Sequence, residues 1–263
     1  MHDRAVEQAA GHATPGEPAV RDWLLAGLSF SAGMYEAICF LAFGKVFAGF
    51  QTGNLVFLGF GVAGTRPPAG PNPVTVVISL AAFAAGVALA IPILKGFGGG
   101  QETQHNASRV WPRPVSIALA LALVLQAAFF LVWVTAASPA SLAYILIALA
   151  AFAMGLQANA VRSLHVPGIS TTAFTATFVG LVIIIAAWTL TAPSARRLAG
   201  AVAGVAAGGF LGDWMLSHAH PYVPVVPAAV TAVIIAVAWV APKPRATSGP
   251  AGEQGLAEQQ EVK

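Results

Sequence analysis

Six apolar runs of about twenty residues each dominate this chain, and each is long enough to cross roughly 30 Å of hydrocarbon as a helix. They cover about 22–43, 74–95, 115–136, 141–162, 198–217 and 222–241. A soluble fold has nowhere to bury so many such runs in 263 residues of which 9% are charged, when an ordinary soluble domain carries about 25%. The sequence therefore specifies an all-α polytopic membrane bundle and excludes disordered, coiled-coil, collagen-like and disulfide-scaffold chains. Cys39 is the single cysteine, so no intramolecular disulfide and no Cys-based metal framework is available.

Two further apolar stretches, about 46–64 and 169–191, carry polar clusters: Gln51-Thr52-Gly53-Asn54 in the first, and Ser170-Thr171-Thr172-Ala173-Phe174-Thr175-Ala176-Thr177 in the second. Basic residues accumulate in cytoplasmic loops, which tests whether these stretches cross. With the N-terminus in the cytoplasm and neither stretch crossing, only Lys45 and Arg66 of the 13 Lys and Arg fall outside. Eight crossings would place Lys45, Lys95, Arg109, Arg113 and Arg162 there. The expectation is six net spans plus two interrupted or re-entrant segments, which must be buried in protein or line a wet cavity. Both termini are then cytoplasmic, in the cell membrane. Residues 1–21 and 242–263 read as disordered cytoplasmic tails around a transmembrane domain over 22–241. The formal charge of +3 is spread through the connections, so it reports topology, and no nucleic-acid partner is expected.

Shifting the sequence by 123 positions pairs Glu36-Ala37 with Asn159-Ala160, Thr52-Gly53-Asn54 with Thr175-Ala176-Thr177, Val56 with Val179 and Gly86 with Gly209. Each half, about 22–136 and 141–241, then reads as helix, polar segment, helix, helix. Three net crossings per half make this an inverted 3+3 repeat, and interrupted segments at matching positions point to a transport site near mid-membrane.

Two motifs carry a resemblance to a known family. Gly33-Met34-Tyr35-Glu36-Ala37 leads to Gln51-Thr52-Gly53-Asn54-Leu55, and Met154-Gly155-Leu156-Gln157-Ala158-Asn159-Ala160 leads to Ser170 through Thr177. In this order and separation they resemble the YoaK family of uncharacterised multi-pass bacterial membrane proteins, over about 22–240. Members of that family usually carry Asp in place of Glu36 and Gly in place of Ala176. The resemblance implies a membrane location and a shared architecture, and supplies no substrate.

Glu36 is the sharpest single signal, because a carboxylate at the centre of a membrane helix costs roughly 2.5–3.5 kcal/mol on insertion scales and so faces protein or water. It reads as a protonatable coupling site, or alternatively as a structural carboxylate paired with Arg162 or hydrogen-bonded to the polar stretch. Gln51, Thr52, Gly53 and Asn54 offer hydroxyl, amide and free backbone to a small ligand or ion, with Thr171, Thr172, Thr175 and Thr177 as their counterpart. Gln157 and Asn159 close the site from the second half. The alternative for all of these is local satisfaction of backbone groups and helix packing. Gln126, a lone amide, is expected to make an interhelical hydrogen bond. Gly33 allows close packing in the first helix, while Gly200, Gly204, Gly208 and Gly212 form a ladder that reads as an internal seam or, less directly, as the face of a homo-oligomer. Asp213, His218 and His220 read as a wet loop rather than a metal site.

No phosphate loop, serine elbow or metalloprotease motif appears, so no cofactor, metal or catalytic residue is expected. The reading is a secondary transporter of a small molecule or ion in the lipid bilayer. A passive channel and a non-transporting scaffold or sensor are the alternatives. An intramembrane enzyme lacks a second acidic, His or Cys partner for Glu36.

Overall fold

The computed structural model describes residues 17–64, 70–96, 112–136, 142–166, 171, 174–187 and 193–240. Among them the chain is helical and forms no strand. The helices are α1 (Glu17–Ala42), α2 (Gln51–Val62), α3 (Pro73–Gly96), α4 (Arg113–Thr135), α5 (Ala143–Arg162), α6 (Phe174–Ala186), α7 (Pro193–His218) and α8 (Val225–Val240), the last preceded by a short turn at His220–Tyr222. Six are long and apolar enough to cross a membrane: Val20–Ala42, Pro73–Lys95, Arg113–Thr135, Ala143–Arg162, Ser194–His218 and His220–Val240. These follow the sequence-read spans because hydrocarbon thickness dictates the length of both. Helices α2 and α6, of 12 and 13 residues, reach only about 18–20 Å at 1.5 Å per residue. The expected tails 1–21 and 242–263 lie outside the described residues, except that residues 17–21 form the first turns of α1.

Backbone rules explain the helix ends. Pro73 and Pro193 open α3 and α7, where the missing N–H has no intrahelical role. Helix α1 stops at Ala42 because Gly44 (φ 84°) and Lys45 (φ 66°) are left-handed, and the Lys45 N–H reaches back to the Phe40 carbonyl at 2.8 Å. Glycine adopts that conformation without a steric penalty and commonly ends helices so. The chain is thereby turned back alongside the helix it has just left.

Helices α1, α4, α5 and α8 form a four-helix core, with α4 on α5, α1 on α8, and cross-contacts α4 to α8 and α1 to α5. Helix α7 packs along α1 and α3 along α5. Both seams are glycine-mediated. A methyl group on Gly33 would overlap the Val205 carbonyl, on Gly204 that of Ala26, and on Gly208 that of Phe30. On the other seam, Gly86 faces the Phe152 carbonyl and Gly155 that of Phe83. The ladder is therefore an internal seam, as the four-residue spacing suggested, although Gly200 meets only the Ala26 side chain at an ordinary 3.6 Å.

These registers also fix directions. Along α1 and α7, Ala26, Phe30 and Ala37 meet Gly204, Gly208 and Gly212 in turn, so the two run parallel. Helices α3 and α5 also run parallel, with Phe83 at Gly155 and Val87 bonded to Asn159. Helix α2 returns antiparallel to α3: Asn54 bonds to Ser79, six residues into α3, whereas Gly61 lies against Pro73 at its start. Helix α6 likewise sits beside α7, with Gly180 at Leu198, close to the start of α7. Each short helix thus begins at depth and runs back to the face from which the next long helix departs.

Candidate functional site

The reversed chain after α1 brings residues 46–50 down beside Glu36. Its carboxylate accepts three backbone N–H groups: Gly49 (2.6 Å) and Phe50 (3.1 Å) on Oε1, and Ala48 (3.0 Å) on Oε2. Successive N–H groups pointing one way make an anion-binding concavity, and here the chain fills it with its own side chain. An ionised carboxylate, which only accepts, suits three donors. The same turn leads straight into the positive end of α2, where a negative group is favoured.

A second network holds the other side of the turn. Asn54 clamps Phe47 from both ends, its Oδ1 accepting the Phe47 N–H (3.0 Å) and its Nδ2 donating to the Phe47 carbonyl (2.8 Å). Ser79 of α3 donates to that carbonyl at 2.6 Å and accepts from Asn54 (3.1 Å) and Gln51 (3.2 Å). Gln51 donates further to the Ala48 carbonyl, and its Oε1 accepts from Asn54. Glu36, Asn54 and Ser79 are all buried. Gly53 is needed for space, because a Cβ there would come within 2.8 Å of the Phe47 ring. Phe47 stacks on Phe40 with centroids 5.0 Å apart.

The turn ends at Phe50, whose ring meets that of Phe174 edge-on, with centroids 5.6 Å apart. Phe174 is the first residue of α6. The starts of the two short helices therefore meet, with both rings half-buried. Around the second start, Thr171 and Thr177 are buried while Thr175 is exposed. Thr172 lies outside the described residues. Thr52, beside the buried Asn54, is also exposed.

Other singled-out residues lie elsewhere. Gln157 donates to the Leu28 carbonyl (3.2 Å) and Asn159 to the Val87 carbonyl (3.1 Å), so both tie helices together at a distance from the Glu36 turn. The ion pair of Glu36 with Arg162 does not form: Arg162 is exposed at the end of α5, and backbone N–H groups take both carboxylate oxygens. The interhelical bond expected of Gln126 is also absent, since neither its nitrogen nor its oxygen has a partner among the described residues. His218 stacks on Trp214 and His220 on Trp133, so different tryptophans hold the two imidazoles. Sequence reasoning missed Ser79, a small hydroxyl in an otherwise apolar helix. The alternative of a Glu36 hydrogen-bonded to the first polar stretch is the one that forms, through the backbone of residues 48–50 and not through the Gln51–Asn54 side chains.

Residues 24–237 match the family described as a protein of unknown function, DUF1275. The chain is similar to the UPF0700 transmembrane protein YoaK of Bacillus subtilis (strain 168), with 34% identity over 164 residues that cover 62% of this chain and 66% of that protein. The match thus spans about two thirds of the relative's length. No solved structure matches the chain.

Proposed function

The chain belongs to the DUF1275 family, and we propose that this multi-pass membrane protein is a secondary transporter of a small molecule or ion, coupled through Glu36. The observation that carries the reading is the meeting of Phe50 and Phe174 at the starts of two short helices that each return to the face they came from. Discontinuous helices whose N-terminal ends converge at depth are the arrangement on which secondary-transport sites are built.

The packing supports an inverted repeat of α1–α4 and α5–α8. Helix α1 lies along α7 as α5 lies along α3, α1 meets α8 as α5 meets α4, and α2 sits on α3 as α6 sits on α7. Movement of the glycine-seamed pair α1 and α7 against the pair α3 and α5 then alternates access to the point where the short helices meet. The charge distribution favours cytoplasmic termini in the cell membrane. On this reading, protonation puts a hydrogen on one Glu36 oxygen and leaves the group a weaker, uncharged acceptor, so its hold on the three N–H groups of the turn is reduced. The turn loosens, and proton binding is linked to movement of α2.

A thermal-shift screen of metabolites identifies a ligand that selects the folded state, and uptake of that ligand into vesicles under an imposed proton gradient tests coupling. Glu36→Gln is expected to retain the fold and abolish the pH dependence of uptake. Unchanged pH dependence would remove the proton role. A second reading, a passive channel, draws on the same end-to-end meeting, which needs no rocking. Saturable accumulation against a concentration gradient separates the two, and its absence favours the channel.

A further inference from the structure

The four-helix core holds a second polar cluster, away from the Glu36 turn and independent of the reading above. Tyr35 of α1, Gln126 of α4 and Gln157 of α5 are 0%, 1% and 0% exposed. The Tyr35 hydroxyl, both polar atoms of Gln126 and Oε1 of Gln157 have no hydrogen-bond partner among the described residues. Buried polar atoms are overwhelmingly satisfied by protein or by ordered water, and each orphan costs about 1–3 kcal/mol.

The registers bring these groups to one layer. The Tyr35 ring meets Phe129 edge-on, with centroids 5.5 Å apart, and Phe129 follows Gln126 by three residues on the same buried face of α4. Gln157 is anchored at Leu28, two turns before Tyr35 on α1. Helical side chains lean toward the N-terminus, so the Tyr35 hydroxyl extends from the Phe129 level toward that of Leu28. Tyr35 and then Phe43 meet Phe129 and then Trp133, so α1 and α4 run the same way, which puts Gln126 on that same side of Phe129. Apolar layers close both ends. Phe129 and Trp133 pack with Ile147 and Met154 on one side, and Ala118 and Leu119 with Ala160 and Val161 on the other.

Glu36 is adjacent in sequence, but both of its oxygens are committed to the turn, so no free charge faces the layer from it. A phenol, an amide with both its donor and acceptor ends open, and an amide oxygen together suit a small uncharged molecule that donates and accepts. We propose that Tyr35, Gln126 and Gln157 form an internal hydration site, binding water within the core where α1, α4 and α5 meet. Water makes about three hydrogen bonds at such sites, and the apolar layers on either side restrict the occupant to its size.

Radiolytic hydroxyl labelling of the purified full chain in H2(18)O tests this, because radicals generated from bound water mark the residue beside it. Tyr35 is expected to acquire (18)O although it is sealed from bulk solvent, with the exposed Tyr144 and Tyr222 as positive references and the buried Phe43, two turns further along at the end of α1, as the negative one. Gln126→Leu and, separately, Gln157→Leu should each abolish the Tyr35 label while leaving Tyr144 labelled. Both variants are first checked for native elution on gel filtration, and either one alone suffices. An unlabelled Tyr35 in the wild-type chain, or a label undiminished in both variants, overturns the proposal.

Discussion

The two buried polar clusters of this protein are built on opposite terms. Around Glu36, every donor of the turn at 48–50 meets a carboxylate oxygen, and Asn54, Gln51 and Ser79 pair with the backbone and with one another. In the four-helix core, Tyr35, Gln126 and Gln157 have four polar atoms without a partner among the described residues. The first cluster is self-sufficient, and irregular chain at membrane depth has to be so. The second depends on something that is not side chain or backbone.

Substitutions can break or sharpen this contrast. Cys39 is the only cysteine and is buried, so the reaction of a thiol-sensitive fluorophore with it reports unfolding in detergent directly. Glu36→Ala strands three N–H donors and should destabilise by about 3 kcal/mol or more, the largest loss in the series. Asn54→Ala removes a two-ended clamp on Phe47 and should lose about 2 kcal/mol. Ser79→Ala should lose about 1 kcal/mol, as expected for one hydroxyl at the edge of the network. Gln126→Leu should lose no more than about 1 kcal/mol, because it gives up only hydrogen bonds to a bound water and spares the core a buried amide. If Gln126→Leu is as damaging as Asn54→Ala, the core amide is held by protein groups and the contrast fails. If Glu36→Ala is as mild as Gln126→Leu, the turn is held by other groups.

Much of the architecture is legible in the sequence. The six spans can be read because apolar run length answers to hydrocarbon thickness, and the polar clusters set apart 46–64 and 169–191, where the described helices are only 12 and 13 residues long. Glycines at 204, 208 and 212 announced a close helix seam, although not that α1 would be the partner. The site was less legible. Glu36 stood out by its charge, but its partners are main-chain groups twelve to fourteen residues later, created by the left-handed turn at Gly44 and Lys45. Ser79 carries no signal at all in an apolar helix. Thr52 looks equivalent to Asn54 in a string of letters, yet helical geometry two residues apart sends one outward and buries the other.

The glycine seams restrict how the bundle can deform. Where one backbone rests directly on another, neither helix can swivel about its own axis without driving a side chain into a carbonyl, so α1 with α7, and α3 with α5, must travel as paired rails. Slippage is left to the contacts built from larger, interchangeable side chains, such as those of α1 with α8 and α4 with α8. Any large motion of this protein will find its bearing there.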